Sequence, residues 1–132
     1  MKKLALLLAV SCCFFSCEKN IEIENTIQGK WNVVQIIGGL SPAKNYDVGS
    51  FTWFFDLDKK TIIINNKDVF NTQYAPTFTN NQGGIYSFNI VTENNIEYLL
   101  VDKRKGTIKI TEAELTIDFG IAFDDIAYVF KR

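Results

Sequence analysis

Few side chains in this sequence have the chemistry of a conventional catalytic site. The 132 residues contain no histidine, which is the commonest general base and the commonest zinc ligand. Beyond the first seventeen residues the chain has no cysteine, and its serines there (Ser41, Ser50 and Ser87) lie in no recognisable nucleophile motif. Ser–His and Cys–His catalysis therefore have no support within this chain. We expect a protein that is not an enzyme.

Three pairs of carboxylates are close enough in sequence to be considered as acid–base pairs. Glycoside hydrolysis needs two acids that converge on one cleft. Each pair lies beside a predicted turn, where solvated carboxylates are common, and Asp56-Leu57-Asp58 lacks the ligand count and the glycine of a calcium loop. We interpret all three as surface acids, and expect neither a metal nor a cofactor. The pairs are Asp56 with Asp58, Glu112 with Glu114, and Asp124 with Asp125.

The N-terminus carries chemistry of a different kind. Met1-Lys2-Lys3 is basic, and an unbroken apolar run from Leu4 to Val10 follows it. This pattern is typical of a secretory signal peptide, and the run is shorter than the roughly 20 residues that a membrane-spanning helix needs. The segment Phe14-Phe15-Ser16-Cys17 resembles the lipobox of bacterial lipoproteins, in which the cysteine becomes the acylated first residue of the mature protein.

The lipobox resemblance implies that Cys17 is lipidated and that residues 1–16 form a signal peptide. Two or more acyl chains would hold the protein stably on a bilayer, because each buried methylene contributes about 0.8 kcal/mol. Cys12, which follows Ala9-Val10-Ser11, is the competing site. The run Ser-Cys-Glu-Lys is similar to outer-membrane lipoproteins of the Bacteroides group. It implies a lipid-anchored location in the outer membrane, on its periplasmic or cell-surface face.

The charge pattern does not favour a nucleic-acid partner. The formal net charge is -1 and the sequence pI is near 5.4, whereas nucleic-acid-binding domains are usually basic. One basic run, Lys103-Arg104-Lys105, could meet lipid head groups or an acidic partner. We interpret it as the solvated tip of a hairpin whose turn spans residues 103–106, with Gly106 available for a positive φ.

From Ile27 onward, alternating apolar residues predict an all-β fold. Residues 17–26 form the predicted lipidated tether, although the alternation in Ile21–Glu24 also fits an edge strand. Two long loops are expected, at 40–50 and 75–84. Short connections favour a small antiparallel up-and-down barrel of about eight strands over a Greek-key sandwich, since closing a meander removes its exposed edges. The predicted strands of this single domain, 27–132, are 31–37, 51–57, 61–64, 68–74, 85–91, 96–102, 107–111, 114–119 and 125–131.

One short motif resembles a known family. Ile27-Gln28-Gly29-Lys30-Trp31 looks like the Gly-x-Trp opening of lipocalins and of bacterial lipocalin-like domains, and residues 108–117 resemble the late hairpin of the lipocalin-like lipoproteins. The resemblance implies a barrel closed at one end by Trp31. It also implies that a basic residue at the end of the last strand, Lys131 or Arg132, lies against that tryptophan.

The aromatic residues are the remaining functional candidates, with 2 Trp, 5 Tyr and 11 Phe in the chain. They can line a barrel that binds a small hydrophobic ligand, or they can fill it, because eight strands enclose a space just wide enough for side chains. Our leading interpretation is a lipoprotein that binds a small hydrophobic ligand in the barrel mouth or lumen. The alternative, in which the barrel is filled, is a protein-interaction module of the cell envelope that presents loops 38–50 and 75–84. The candidate ligand-binding residues are Trp31, Trp53, Phe55, Tyr86, Tyr98 and Phe119.

The cleavage site is testable by metabolic labelling with palmitate. If Cys17 is the acylated residue, label is lost from the Cys17→Ser variant and kept in Cys12→Ser, because only the mature N-terminal cysteine carries acyl chains. Loss of label from Cys12→Ser alone would instead assign the anchor to Cys12.

Overall fold

A computed structural model describes residues 23–24, 26–40, 42–67 and 81–132. The signal peptide, Cys12, Cys17, the predicted strand 68–74 and most of the predicted loop 75–84 lie outside the described residues. Within them the chain forms nine strands, which are β1 (Gly29–Gly38), β2 (Lys44–Asn45), β3 (Phe51–Asp56), β4 (Thr61–Asn66), β5 (Gly84–Glu93), β6 (Ile96–Val101), β7 (Arg104–Ile110), β8 (Glu114–Asp118) and β9 (Ile126–Lys131).

The strands make one antiparallel sheet that closes on itself. From β3 to β9, each strand pairs with the next one in the sequence. The first half of β1 pairs with β3. β1 also pairs with β9, from Asn32–Lys131 to Gly38–Ile126, which closes the sheet. The result is an eight-stranded up-and-down barrel to which β2 adds one short strand. The all-β barrel expected from the sequence is confirmed.

The barrel has two ends, which differ in their connections. At the tether end the chain enters β1 at Gly29, and the tight turns 57–60, 94–95 and 111–113 join neighbouring strands. At the opposite end, here called the loop end, lie segments 38–50, 81–84, 102–103 and 119–125. This division follows from the strand registers, since Gly29 pairs with Phe55 near the end of β3 and Gly38 pairs with Ile126 at the start of β9.

Two segments differ from the expected elements. Residues 23, 24, 26 and 27 are helical, so the edge-strand alternative is wrong for Ile23 and Glu24; the N–H of Gln28 bonds the Glu24 carbonyl at 3.3 Å. This helical turn places Ile27 in the core. Burial of that side chain favours the turn more than the alternating pattern of residues 21–24 favours a strand. The predicted loop 40–50 also contains β2, where Gln35 pairs with Asn45 and their side chains hydrogen-bond at 2.9 Å.

The hairpin predicted at residues 103–106 is present between β6 and β7, but its turn lies earlier in the chain than expected. The turn residues are Asp102 and Lys103, at φ 45° and 63°, and Arg104 already belongs to β7. Gly106 lies inside that strand, and it is needed for close packing rather than for the positive φ expected of a turn residue. A Cβ on Gly106 would lie 2.9 Å from Ile117 Cγ2 and 3.0 Å from the Phe119 ring, so glycine allows these side chains to cross β7 closely.

Aromatic side chains dominate the core. Trp53 is central, with its ring centroid 5.0 Å from those of Tyr128 and Phe130 and 6.0 Å from that of Phe55. The Phe55 ring meets Phe88 edge-on at 5.6 Å. Tilted and edge-to-face contacts of this kind add to the hydrophobic contribution of each ring.

The tether end is closed by Trp31 and Arg132. The Trp31 indole N–H donates to the Ile27 carbonyl at 2.8 Å, and the Arg132 guanidinium carbon lies 4.2 Å from the centre of the indole ring. Arg132 also donates to the carbonyls of Thr26 and, at 2.8 Å, Gln28. A basic residue after the last strand therefore covers Trp31, as expected, and that residue is Arg132 rather than the exposed Lys131.

Two adjacent phenylalanines on β3 test the packing. Phe55 is 0% exposed and Phe54 is 38% exposed, on the outer wall. We expect Phe55→Ala to lower the free energy of unfolding by about 3–5 kcal/mol, because truncation of a core phenylalanine leaves a cavity. Phe54→Ala should cost less than about 1 kcal/mol. Urea unfolding of both variants measures the difference, and equal losses would contradict the assigned register of β3.

Candidate functional site

The barrel interior is filled by three of the candidate ligand-binding residues. Trp31, Trp53 and Phe55 are 0–1% exposed and lie in the core. A side chain with no solvent-accessible area borders no cavity as large as a water molecule. These three residues therefore pack the interior rather than line an open space.

Of the other three candidates, Tyr86 belongs to the core, Phe119 packs against it, and Tyr98 lies outside it. Tyr86 is buried towards the loop end, where its hydroxyl donates to the Gln82 carbonyl at 3.0 Å; burial raises its pKa, and the charge of Asp102 adds to this effect. Phe119 is half-buried at the same end. Tyr98 lies on the outer wall because Glu97 and Leu99 are the inward residues on either side of it, and the Lys105 ammonium covers its ring at 4.2 Å.

The loop end brings together polar groups that the sequence does not single out as a site. Arg104 pairs across the β6–β7 hairpin with the buried Val101, so its side chain shares the inward face of the sheet. Its guanidinium donates to Asp125 Oδ1 at 2.5 Å and lies 4.5 Å from the centre of the Phe119 ring. The side chains of Arg104 and Asp125 are 17% and 42% exposed. Only the folded barrel reveals this pair, since 21 residues separate its members.

Hydrogen bonds fix the protonation of Asp125. Partial burial by itself would raise the pKa of this carboxyl, but the Arg104 hydrogen bond, the Ile126 N–H at 2.8 Å and the Arg104 charge lower it below its usual range. Asp125 is therefore an anion at neutral pH, and it orients the guanidinium beside it.

Tyr128 lies beneath this ion pair. Its ring packs edge-on against Phe51 and Phe119, with centroids 6.4 and 6.1 Å away, and its hydroxyl donates to Asn81 Oδ1. Burial strongly raises the pKa of Tyr128, and although the Arg104 charge opposes this, Asp125 adds to it. The phenol stays neutral, so the floor of the loop end is an uncharged aromatic layer.

Apolar side chains protrude from the segments 38–50 and 119–125 of the loop end. Leu40 and Phe123 are 96% and 89% exposed, and Val48 and Ile121 are also exposed. We call these four residues the apolar rim. The segments that carry Leu40 and Phe123 are joined by a hydrogen bond of 3.0 Å from the Gly39 N–H to the Asp125 carbonyl. Gly38 allows this approach, since a Cβ there would lie 2.4 Å from the same carbonyl oxygen.

A groove of about 400 Å³ continues from the rim along the outer wall. Phe123 borders it at the loop end, and Tyr98, Lys105 and Thr107 line its side. The groove is open and shallow, so it extends the exposed surface rather than enclosing a ligand.

The described part of the chain offers no other obvious chemistry. Among its residues, no three acidic or cysteine side chains are close enough to hold a metal ion. The three pairs of carboxylates interpreted above as surface acids lie at or beside turns, and two of their members form ion pairs: Asp56 with Lys59 at 3.3 Å and Asp125 with Arg104. No helix in this part of the chain is long and apolar enough to cross a membrane.

Comparison with known proteins gives one structural match. No protein-family model matches the chain, and a search of curated proteins finds no match. A solved structure of an uncharacterized protein from Bacteroides eggerthii DSM 20697 is similar at a TM-score of 0.45 and 9% sequence identity, covering 80% of this chain and 98% of that one.

The Asp125–Arg104 pair predicts a specific acid sensitivity. A carboxyl whose folded-state pKa is lowered stabilises the fold above its unfolded-state pKa, and this contribution is lost as the pH falls through the folded-state value. The stability difference between the wild type and Asp125→Asn should therefore be largest near neutral pH and shrink below about pH 4. Urea unfolding at several pH values measures it.

Asp124→Asn is the matched control, because Asp124 is the exposed neighbour and asparagine tolerates its left-handed backbone. It should leave the acid dependence of stability unchanged. A pH-independent loss in Asp125→Asn would show that the ion pair does not cause the stabilisation.

Proposed function

We propose that this protein is a non-enzymatic recognition module of the cell envelope, anchored to the outer membrane through an acylated Cys17, and that its loop end binds a protein partner. The observation that carries the proposal is the contrast between a filled barrel interior and a loop end that exposes large apolar side chains. In this proposal the chain is a lipocalin-like lipoprotein with a solid core.

The filled interior favours a protein partner over a small apolar ligand inside the barrel. Small-molecule sites are concave and commonly enclose about 300–1,000 Å³. Trp31, Trp53 and Phe55 occupy the position that such a ligand would need, and they have almost no accessible area. Of the two functions considered from the sequence, the interaction module agrees better with this packing.

The distribution of exposed apolar residues supports the loop end as the binding surface. Seven large apolar side chains are exposed in the described residues, and five of them (Leu40, Val48, Ile85, Ile121 and Phe123) lie at or beside the loop end. Exposed apolar patches bordered by polar groups commonly mark protein-interaction sites. Segment 38–50 was expected in this role from the sequence, and segment 119–125 joins it.

The anchor position is compatible with a free loop end. Ile23 packs against the core beside the start of β1, so the N-terminal segment leaves the barrel at the tether end. The six residues from Cys17 to Ile23 span at most about 20 Å. An anchor at Cys17 would therefore hold the tether end near the bilayer and direct the apolar rim away from it.

Site-specific photo-cross-linking in intact cells that produce the full chain tests this proposal. A photoreactive residue at position 40 or 123 should yield an adduct with the same protein, identified by mass spectrometry. Ile121→Ser should weaken both adducts at least about fivefold, because Ile121 belongs to the same rim.

Position 96 is the control, since Ile96 is exposed at the opposite end of the barrel. Equal cross-linking from positions 40, 96 and 123 would contradict a specific loop-end interface. A saturable change in Trp31 or Trp53 fluorescence with apolar metabolites, without any adduct, would instead favour a small ligand.

A further inference from the structure

We propose that Arg104 forms a subsite for a carboxylate of the partner protein, beside the segment 119–125 that carries Ile121 and Phe123 of the apolar rim. This inference rests on the proposed function and specifies the chemistry of the partner. It also gives a role to Arg104, the middle residue of the basic run 103–105, which was interpreted above as a solvated hairpin tip.

Arg104 differs from the two lysines beside it. Lys103 lies in the exposed turn, and Lys105 points to the outer wall, where its ammonium bonds Glu93 at 2.5 Å. Arg104 faces inward and is 17% exposed. A cation at such a position is partly desolvated, so its interaction with an anion is stronger than at the open surface.

The guanidinium of Arg104 is fixed in place but has donors to spare. A guanidinium carries five N–H donors. Arg104 makes one hydrogen bond within the described residues, to Asp125 Oδ1, and its face lies over Phe119. The same Asp125 oxygen also accepts the Ile126 N–H. Asp125 therefore contacts the guanidinium group through one oxygen atom only. The remaining N–H groups suit a second carboxylate, which arginine binds in a planar, often bidentate arrangement.

The surrounding groups favour a single carboxylate over a more highly charged anion. Three aspartates lie in the turns of the loop end: Asp125 bonds Arg104, Asp102 lies two residues before Arg104, and Asp124 precedes Asp125. Their negative charge opposes a phosphate dianion or an anionic bilayer. Beneath the pair, the described residues place the buried Tyr128 ring rather than an opening, which disfavours the alkyl chain of a free fatty acid.

The apolar rim identifies the source of the carboxylate as a protein. Ile121 and Phe123 lie two and four residues after Phe119, on whose ring the guanidinium rests. A partly buried arginine surrounded by aromatic and apolar residues has the composition of an interface hot spot. The partner should therefore present an Asp or Glu side chain within an apolar surface.

Two neutral-capped peptides test the charge requirement directly. Acetyl-Phe-Glu-Leu-amide and acetyl-Phe-Gln-Leu-amide differ by one charge and have nearly the same shape. We expect the Glu peptide to bind the full chain, purified in non-ionic detergent, at least about fivefold more tightly, with the Arg104 Nε–H NMR signal reporting the binding. Equal affinities would overturn the inference, and tighter binding of decanoate with a changed Trp53 signal would assign the site to a free amphiphile instead.

Three variants separate a carboxylate subsite from a structural role of the ion pair. Arg104→Gln should abolish the preference for the Glu peptide, and Lys105→Gln, the adjacent loss of one positive charge, should retain it. Asp125→Asn should strengthen binding of the Glu peptide, because it removes the competing carboxylate. Weaker binding in Asp125→Asn, as in Arg104→Gln, would overturn the subsite in favour of a structural pair. If Arg104→Gln fails to fold, Arg104→Lys keeps the charge without the fork and should lose most of the preference.

The cross-linking experiment distinguishes this inference from the function on which it rests. The adduct from position 123 should fall at least about fivefold in Arg104→Gln and remain in Lys105→Gln. An adduct that Arg104→Gln leaves intact overturns the subsite alone. Absence of any adduct in the parent chain overturns the protein partner as well.

Discussion

The pairing of β1 with β9 is the interaction on which the rest of the molecule depends. It joins the first strand of the sheet to the last, so no edge remains between them for another chain to join. The same ladder organises both ends of the barrel. At the tether end it brings Arg132 onto Trp31, and at the loop end it continues into the bond between Gly39 and Asp125. Barrel closure thus covers the core at the tether end and joins the two segments of the proposed binding surface at the loop end.

The filled interior is a direct consequence of a small closed barrel with many aromatic residues. Eight strands enclose a space that side chains alone can fill. Trp53, Phe55, Tyr128 and Phe130 occupy it through tilted and edge-on contacts. Since these side chains fill the interior, the function proposed above places recognition at the surface, on the loop end.

The loop end owes its chemistry to the shape of its turns. Directly after the two-residue turn Asp102–Lys103, Arg104 pairs with the buried Val101, so its side chain faces inward. The longer segment 119–125 is held by Asp118, whose carboxylate accepts the N–H groups of Gly120 and Ile121 at 2.8 and 2.9 Å. That anchoring leaves Phe123 projecting into solvent. A short turn precedes the inward-facing arginine, and a longer segment carries exposed apolar side chains.

The sequence by itself determined the features that depend on local pattern. Alternating apolar residues placed most strands within two residues of their observed bounds, because the period of side chains along a strand is a local property. Gly29-x-Trp31 and the basic C-terminus likewise indicated how one end of the barrel closes. Tertiary structure decided what depends on register and closure. Tyr98 faces outward because of the register of β6, and Gly106 serves close packing against Phe119 rather than a turn. The Arg104–Asp125 pair exists only because two hairpins meet at the loop end, and no local pattern encodes a contact between residues 21 positions apart.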